Sequence, residues 1–167
     1  MYPRLLWHTK IKRMINVEIV SEYNLWKKNI KNPKTYFKKK LKKLTKFKSL
    51  NFSSKTFTIL LTNNIKMKYL NNKFRKKNKA TDVLSFPFYS VTELKKGKRK
   101  KKYLGDVAIS YQFVINRSKL TNFELEFDKL WLHGYLHLLG YDHQNDSDYY
   151  KMIKIENKIL KFIHKRN

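Results

Sequence analysis

Apolar residues first recur at every second position. Between Met14 and Val20, Ile15, Val17 and Ile19 alternate with polar neighbours, which predicts a half-buried β-strand. The period then lengthens. Asn32-Pro33 has the form of an N-cap followed by proline at the first helical position. Phe37, Leu41 and Leu44 follow at helical spacing with lysines on the other faces, so an amphipathic basic helix is expected. Thr56 to Thr62 (TFTILLT) is a short apolar run of strand length, and Asn63 or Asn64 can cap a short helix carrying Met67, Leu70 and Phe74. Val83 to Phe88 (VLSFPF) and Tyr103 to Ser110 (YLGDVAIS) predict two further strands. Thr121 and Glu124 have the spacing of a capping box, so a long helix is expected to run to about Leu139 with Leu130, Trp131, Leu132, Leu136 and Leu138 as its apolar residues. A last helix, from about Asp146 to Ile163, carries Tyr150, Ile153 and Leu160. Mixed strands and helices in a chain of 167 residues predict one α+β domain spanning 1–167, a small mixed β-sheet packed with helices.

Composition narrows the function. No stretch approaches the roughly eighteen consecutive apolar residues of a membrane span. MYPRLLWHTKIKR at the N-terminus lacks the apolar core and small-residue cleavage site of a signal peptide, so a cytoplasmic location without membrane association is expected. The chain has no cysteine, which excludes disulfides, a thiol nucleophile and thiolate metal sites. A net charge of +27 fits a polyanionic partner. Of the 39 basic residues, 33 are lysine and six arginine. Codon drift in an AT-biased genome would produce the same lysine excess, so the charge supports a nucleic-acid partner without establishing one. Two clusters, residues 38–43 and the loop at 95–102 (KKGKRKKK), are the expected places for sequence-independent phosphate contact; solvated lysine faces are the simpler alternative.

The chemistry concentrates in His133 to His143, HGYLHLLGYDH. His133 and His137 are four apart, so a helix places both on one face, about 5–6 Å apart at Cβ. Gly140 follows where a positive φ commonly ends a helix, and the chain can then turn His143 back toward the same point. Three imidazoles would leave a tetrahedral zinc ion with one open position, the mark of a catalytic site. Nickel, copper or iron would also accept three nitrogens. The spacing is zincin-like, close to the peptidase motif HExxHxxGxxH, but the general-base glutamate is replaced by Gly134. That absence counts against proteolysis; zinc alone lowers the pKa of water to about 7, so hydrolysis does not require that carboxylate.

Four blocks in order carry a family resemblance. HGYLHLLGYDH, LNNKFRKKNKATDVLSFPF from Leu70, LGDVAIS from Leu104 and the tail DHQNDSDYYKMIKIENKIL from Asp142 resemble the YbeY-type endoribonucleases, the ribosomal RNA maturation factors. The resemblance covers roughly Met14 to Leu160 and leaves residues 1–13 as an N-terminal extension and 95–102 as an elaborated basic loop. It implies a single-strand-specific endoribonuclease with one zinc ion per chain on His133, His137 and His143, a functional arginine at Arg75, and work on the 3′ end of small-subunit ribosomal RNA and in ribosome quality control. The implied partners are ribosomal RNA, the small ribosomal subunit and ribosomal proteins. Asn78, Ala80 and Phe74 depart from the family's Asp, Pro and Tyr at those places.

Several polar residues have two readings. Asp82, Asp106 and Asp142 could orient a ligand histidine, and Thr81 or Ser85 could hold a phosphate; a role in the local backbone is preferred for Thr81, Asp82, Ser85 and Asp142. Two rival functions are carried forward. One is another metal-dependent hydrolase. The other is a non-catalytic RNA- or ribosome-binding assembly factor whose metal braces the fold.

Overall fold

The alternating segments pair into one sheet and the 3.6-period segments cover it. The computed structural model describes residues 14–47, 55–95, 102–143 and 145–165. Among these the elements are β1 (Ile15–Ser21), α1 (Trp26–Asn29), α2 (Pro33–Leu44), β2 (Lys55–Thr62), α3 (Asn64–Arg75), β3 (Val83–Pro87), α4 (Val91–Lys95), β4 (Tyr103–Ser110), α5 (Tyr111–Ser118), α6 (Phe123–Leu138) and α7 (Asp146–His164). Strand order is β1-β2-β4-β3. β1 and β4 both run parallel to β2, and β3 closes the row antiparallel to β4. The result is one α+β domain with a four-stranded mixed sheet, as its patterning predicts. The N-terminal extension and most of the basic loop, residues 96–101, lie outside the described residues.

Central parallel strands must be covered on both faces, and the two faces differ. Phe57, Ile59 and Leu61 of β2 and Val107 and Ile109 of β4 point into the main core, where Trp131, Leu132, Tyr135 and Leu136 of α6 meet them. The residues between them face the other way. Ala108 and Leu84 pack with Met67 of α3, flanked by Leu60, Leu70 and Phe86. So α6 lies on one face of the sheet and α3 on the other. Trp131, Leu132, Tyr135 and Leu136 are all fully buried, and each of the two leucines stabilises the fold by about 1.5–3 kcal/mol. Packing alone therefore holds α6 in place.

Local signals set the helix starts, with one correction. The cap of α6 is Asn122, not Thr121. Asn122 is extended and its Oδ1 accepts the Leu125 N–H at 2.8 Å. The Thr121 hydroxyl donates to Glu126 instead, at 2.9 Å. Two adjacent cap-forming residues make the pattern degenerate by one position. Asn32 and Asn63 cap α2 and α3 through the same kind of bond.

The lysine cluster at 38–43 is also corrected in part. Lys40 is buried, with its Nζ 2.6 Å from Glu124 and 2.5 Å from Asp128. Lys43 donates to the carbonyls of Ile163 and Lys165 at the end of α7. Both lysines fasten α2 to its neighbours, because a buried carboxylate such as Asp128 needs a paired cation. α2 moreover packs against β1 and α7, at the opposite end of the sheet from β3. Among the described residues no helix is long and apolar enough to cross a membrane.

Candidate active site

Helix α6 carries His133 and His137 on one stripe and ends at once afterwards. The Gly140 N–H donates to the His137 carbonyl at 2.9 Å and the Tyr141 N–H to that of Leu136 at 3.1 Å. These two bonds form a Schellman ending, which needs a left-handed residue. Gly140 supplies it at φ +93°, and any Cβ there would lie 2.7 Å from Leu94 Cδ1. The reversal returns His143, whose N–H donates to Asp142 Oδ1 at 2.8 Å. The three rings then stand 4.8, 5.0 and 5.7 Å apart between centroids. One ring nitrogen from each falls within 4.8 Å of the others.

The donor set fits a metal ion. His133 uses Nδ1 on Glu156 Oε2 at 3.2 Å. The Nε2 atoms of His133 and His137 face each other, 3.2 Å apart. Two nitrogens on a tetrahedral zinc ion, each 2.0–2.1 Å from it, stand about 3.3 Å apart. Burial, then the electrostatic influence of the neighbouring His133 and His143 rings, pushes His137 down to about 4, so its imidazole is neutral and ligand-ready at pH 7. A second group of possible ligands, Glu124, Asp128 and His164, differs: the Lys40 ammonium already lies against both of its carboxylates.

Gly134 explains why this is not a peptidase helix. A Cβ at that position would lie 2.5 Å from Val107 Cγ1 and 3.2 Å from Ser85 Oγ. The helix crosses β3 and β4 so closely that a glutamate has no room. Where the peptidase motif holds its base, this fold holds its sheet.

Around the histidines opens a cleft of about 680 Å³ that also reaches Arg75, Thr81, Asp82, Ser85, Arg117, Lys129 and Glu156. Arg75 arrives as the last residue of α3, just before Lys76 turns the chain at φ 58°. Buried Asn71 ties that turn down by donating to the Lys79 carbonyl at 2.8 Å. Of the three cations lining the cleft, Arg117 is held by Asp82 at 2.7 Å and Lys129 by Glu126 at 2.8 Å. Arg75 has no carboxylate partner among the described residues, so its guanidinium is available to an anion.

The other sequence candidates separate. Burial raises the Asp82 carboxyl, but the Val83 N–H, Arg117 and the Thr81 hydroxyl together outweigh it and hold the group below the ordinary carboxylate value. Asp82 thus anchors the start of β3, and Asp106 accepts from Tyr103. Asp142 holds the His143 backbone. The carboxylate on one of the three rings is Glu156, which sequence reading missed because it is 23 residues from His133, on another helix. Glu156→Ala is expected to weaken zinc binding about 10–100-fold with an unchanged circular dichroism spectrum. Affinity equal to the parent's would mean that this contact orients nothing.

Comparison with known proteins gives a consistent picture. Residues 21–164 match the family described as Endoribonuclease YbeY. A protein named Endoribonuclease YbeY from Pelagibacter ubique is 47% identical over 153 residues, covering 90% of this chain and 97% of its own length. One of the same name from Thermodesulfovibrio yellowstonii is 39% identical over 127 residues, 74% of this chain and 77% of its own. A solution structure of a Thermotoga maritima protein shares the fold, with a TM-score of 0.53 at 22% identity, covering 90% of this chain and 89% of its own.

Proposed function

The chain belongs to the YbeY family of endoribonucleases, and from that membership we propose that it is a zinc-dependent, single-strand-specific nuclease of ribosomal RNA. The observation that carries the reading is the meeting, in one cleft, of three converging imidazoles with the unpaired guanidinium of Arg75. His133, His137 and His143 would hold one zinc ion, on a helix that is zincin-like in ligand spacing. When bound, the ion supplies Lewis acidity to a phosphoryl oxygen and acidifies water.

The chain's own residues do the rest. Arg75 grips the non-bridging oxygens of the phosphodiester with its planar fork and stabilises the charge that builds there in the transition state. Glu156 fixes the tautomer of His133, directing Nε2 inward. Lys129 and Arg117, each shared with a carboxylate, keep the cleft cationic without matching Arg75's freedom. Family membership supports a role at the 3′ end of small-subunit ribosomal RNA and in ribosome quality control, with the small subunit and its proteins as partners and the cytoplasm as the site of action. The buried apolar contacts of α6 speak against a metal that only braces the fold.

The test is metal removal and return. Protein dialysed against a chelator is expected to stop cutting a single-stranded ribosomal RNA fragment, to keep its helix signal, and to recover cleavage on adding zinc. Unfolding on chelation, with no cleavage under any metal, would support the assembly-factor reading instead. Peptide cleavage without RNA cleavage would revive the other hydrolase.

A further inference from the structure

The basic surface that adjoins the cleft is on α3, not on α2. Residues 64–79 hold seven lysines and arginines and no acid. Charge alone does not single this segment out in so basic a chain, but its aromatic residues do. Along α3, Ile65 is 81% exposed, Tyr69 55% and Phe74 56%. Folding does not use these side chains fully, although large apolar groups are ordinarily covered. Lysines fence the rings. Lys66 Nζ lies 5.8 Å from the Tyr69 centroid. Lys73 Nζ sits between two rings, 5.8 Å from Tyr69 and 5.4 Å from Phe74.

The Phe74 end of this exposed flank adjoins the cleft. Its helix ends in Arg75, which lines the cleft. Phe74 meets Phe86 of β3 edge-on, at 5.0 Å between centroids. The neighbours of Phe86 on that outer strand, Ser85 and Pro87, line the cleft on the opposite side. A flexible strand leaving the cleft over the edge of the sheet would meet Phe74 first and Tyr69 next.

Resting on the nuclease reading, we propose that the exposed flank of α3 is a second binding surface for the substrate, where unpaired bases flanking the scissile phosphate stack on Tyr69 and Phe74 while Lys73 and Lys76 meet the phosphates. Aromatic platforms with interleaved cations are how proteins hold single strands without reading sequence. A duplex hides its base faces and gains nothing from the rings. A protein occupant would have to be acidic enough to answer a wholly cationic helix, and the rings would then have no π-face to stack on.

The test is equilibrium binding, by fluorescence anisotropy, of a 2′-O-methylated RNA of roughly twelve nucleotides to the full-length, metal-loaded protein. The variants are Tyr69→Ala with Lys73→Ala, and Lys38→Ala with Lys39→Ala on exposed α2. The first pair removes one charge and a ring, the second two charges. We expect the α3 pair to weaken binding roughly tenfold, the α2 pair to cost less than threefold, and a trinucleotide that fills only the cleft to bind both alike. Tyr69→Phe should bind like the parent, since stacking needs the ring and not the hydroxyl.

Several outcomes would overturn the proposal: equal loss from both pairs, which would mean diffuse charge; equal loss for a duplex; or unchanged RNA affinity with lost binding to the small ribosomal subunit, which would make α3 a protein-docking face. Binding that holds as expected in a protein that never cuts RNA would sink the nuclease reading and leave the α3 surface standing. A parent that binds no RNA sinks both.

Discussion

Replacing His137 by alanine is expected to remove the bound metal and lower RNA cleavage by more than about 100-fold, the upper end of what losing an outer partner alone costs, while leaving the fold in place. His137 is the nearer neighbour of each of the other two rings and supplies one of the two facing Nε2 atoms, so its loss opens the cluster. The helix that carries it does not depend on the metal. Trp131, Leu132, Tyr135 and Leu136 bury completely against the sheet and neighbouring helices, and the Gly140 ending is made by backbone bonds. Metal content by atomic absorption, helix content by circular dichroism and cleavage rate, measured on parent and variant prepared side by side, check the three parts. Equal cleavage by both proteins would trace the activity to a contaminant. Complete unfolding of the variant would move the metal's role from chemistry to structure.

Arg75→Ala separates the phosphate-binding role from the metal. We expect full zinc occupancy and a kcat lower by about 10²–10³-fold, the usual cost of losing one transition-state donor. Arg75→Lys should recover only part of this, because an ammonium is a point charge and cannot make the two parallel bonds of a guanidinium. The neighbouring cations do not substitute. Asp82 already holds Arg117, and Glu126 holds Lys129. A raised KM with kcat unchanged would reassign Arg75 to ground-state binding, and a rate equal to the parent's would remove it from the chemistry.

The strands, the longer helices and the three histidines were legible because each rests on a local rule. Period-2 and period-3.6 patterns report which face is buried, a capping side chain reaches only three residues, and the spacing of His133, His137, Gly140 and His143 is a property of one helix and its ending. The short helices α1, α4 and α5 escaped for the same reason: none is long enough to show a clear period, and α5 begins at Tyr111, directly after the last residue of β4, without a turn between them. The one-residue error at Asn122 came from two adjacent residues that can both cap.

Tertiary structure alone decided the remainder, because those facts are distances between segments remote in the chain. Only the packing of α7 on α6 brings Glu156 to His133, and only the close crossing of α6 over β4 shows why position 134 must be glycine. Lysines at 40 and 73 look alike in the sequence. One is buried against Asp128 and the other stands between two exposed rings, since burial depends on what the rest of the chain places opposite. Residue types and local order therefore determined the elements and the histidine cluster of this protein, while the folded chain determined which charges are spent on stability and which stay without a carboxylate partner among the described residues.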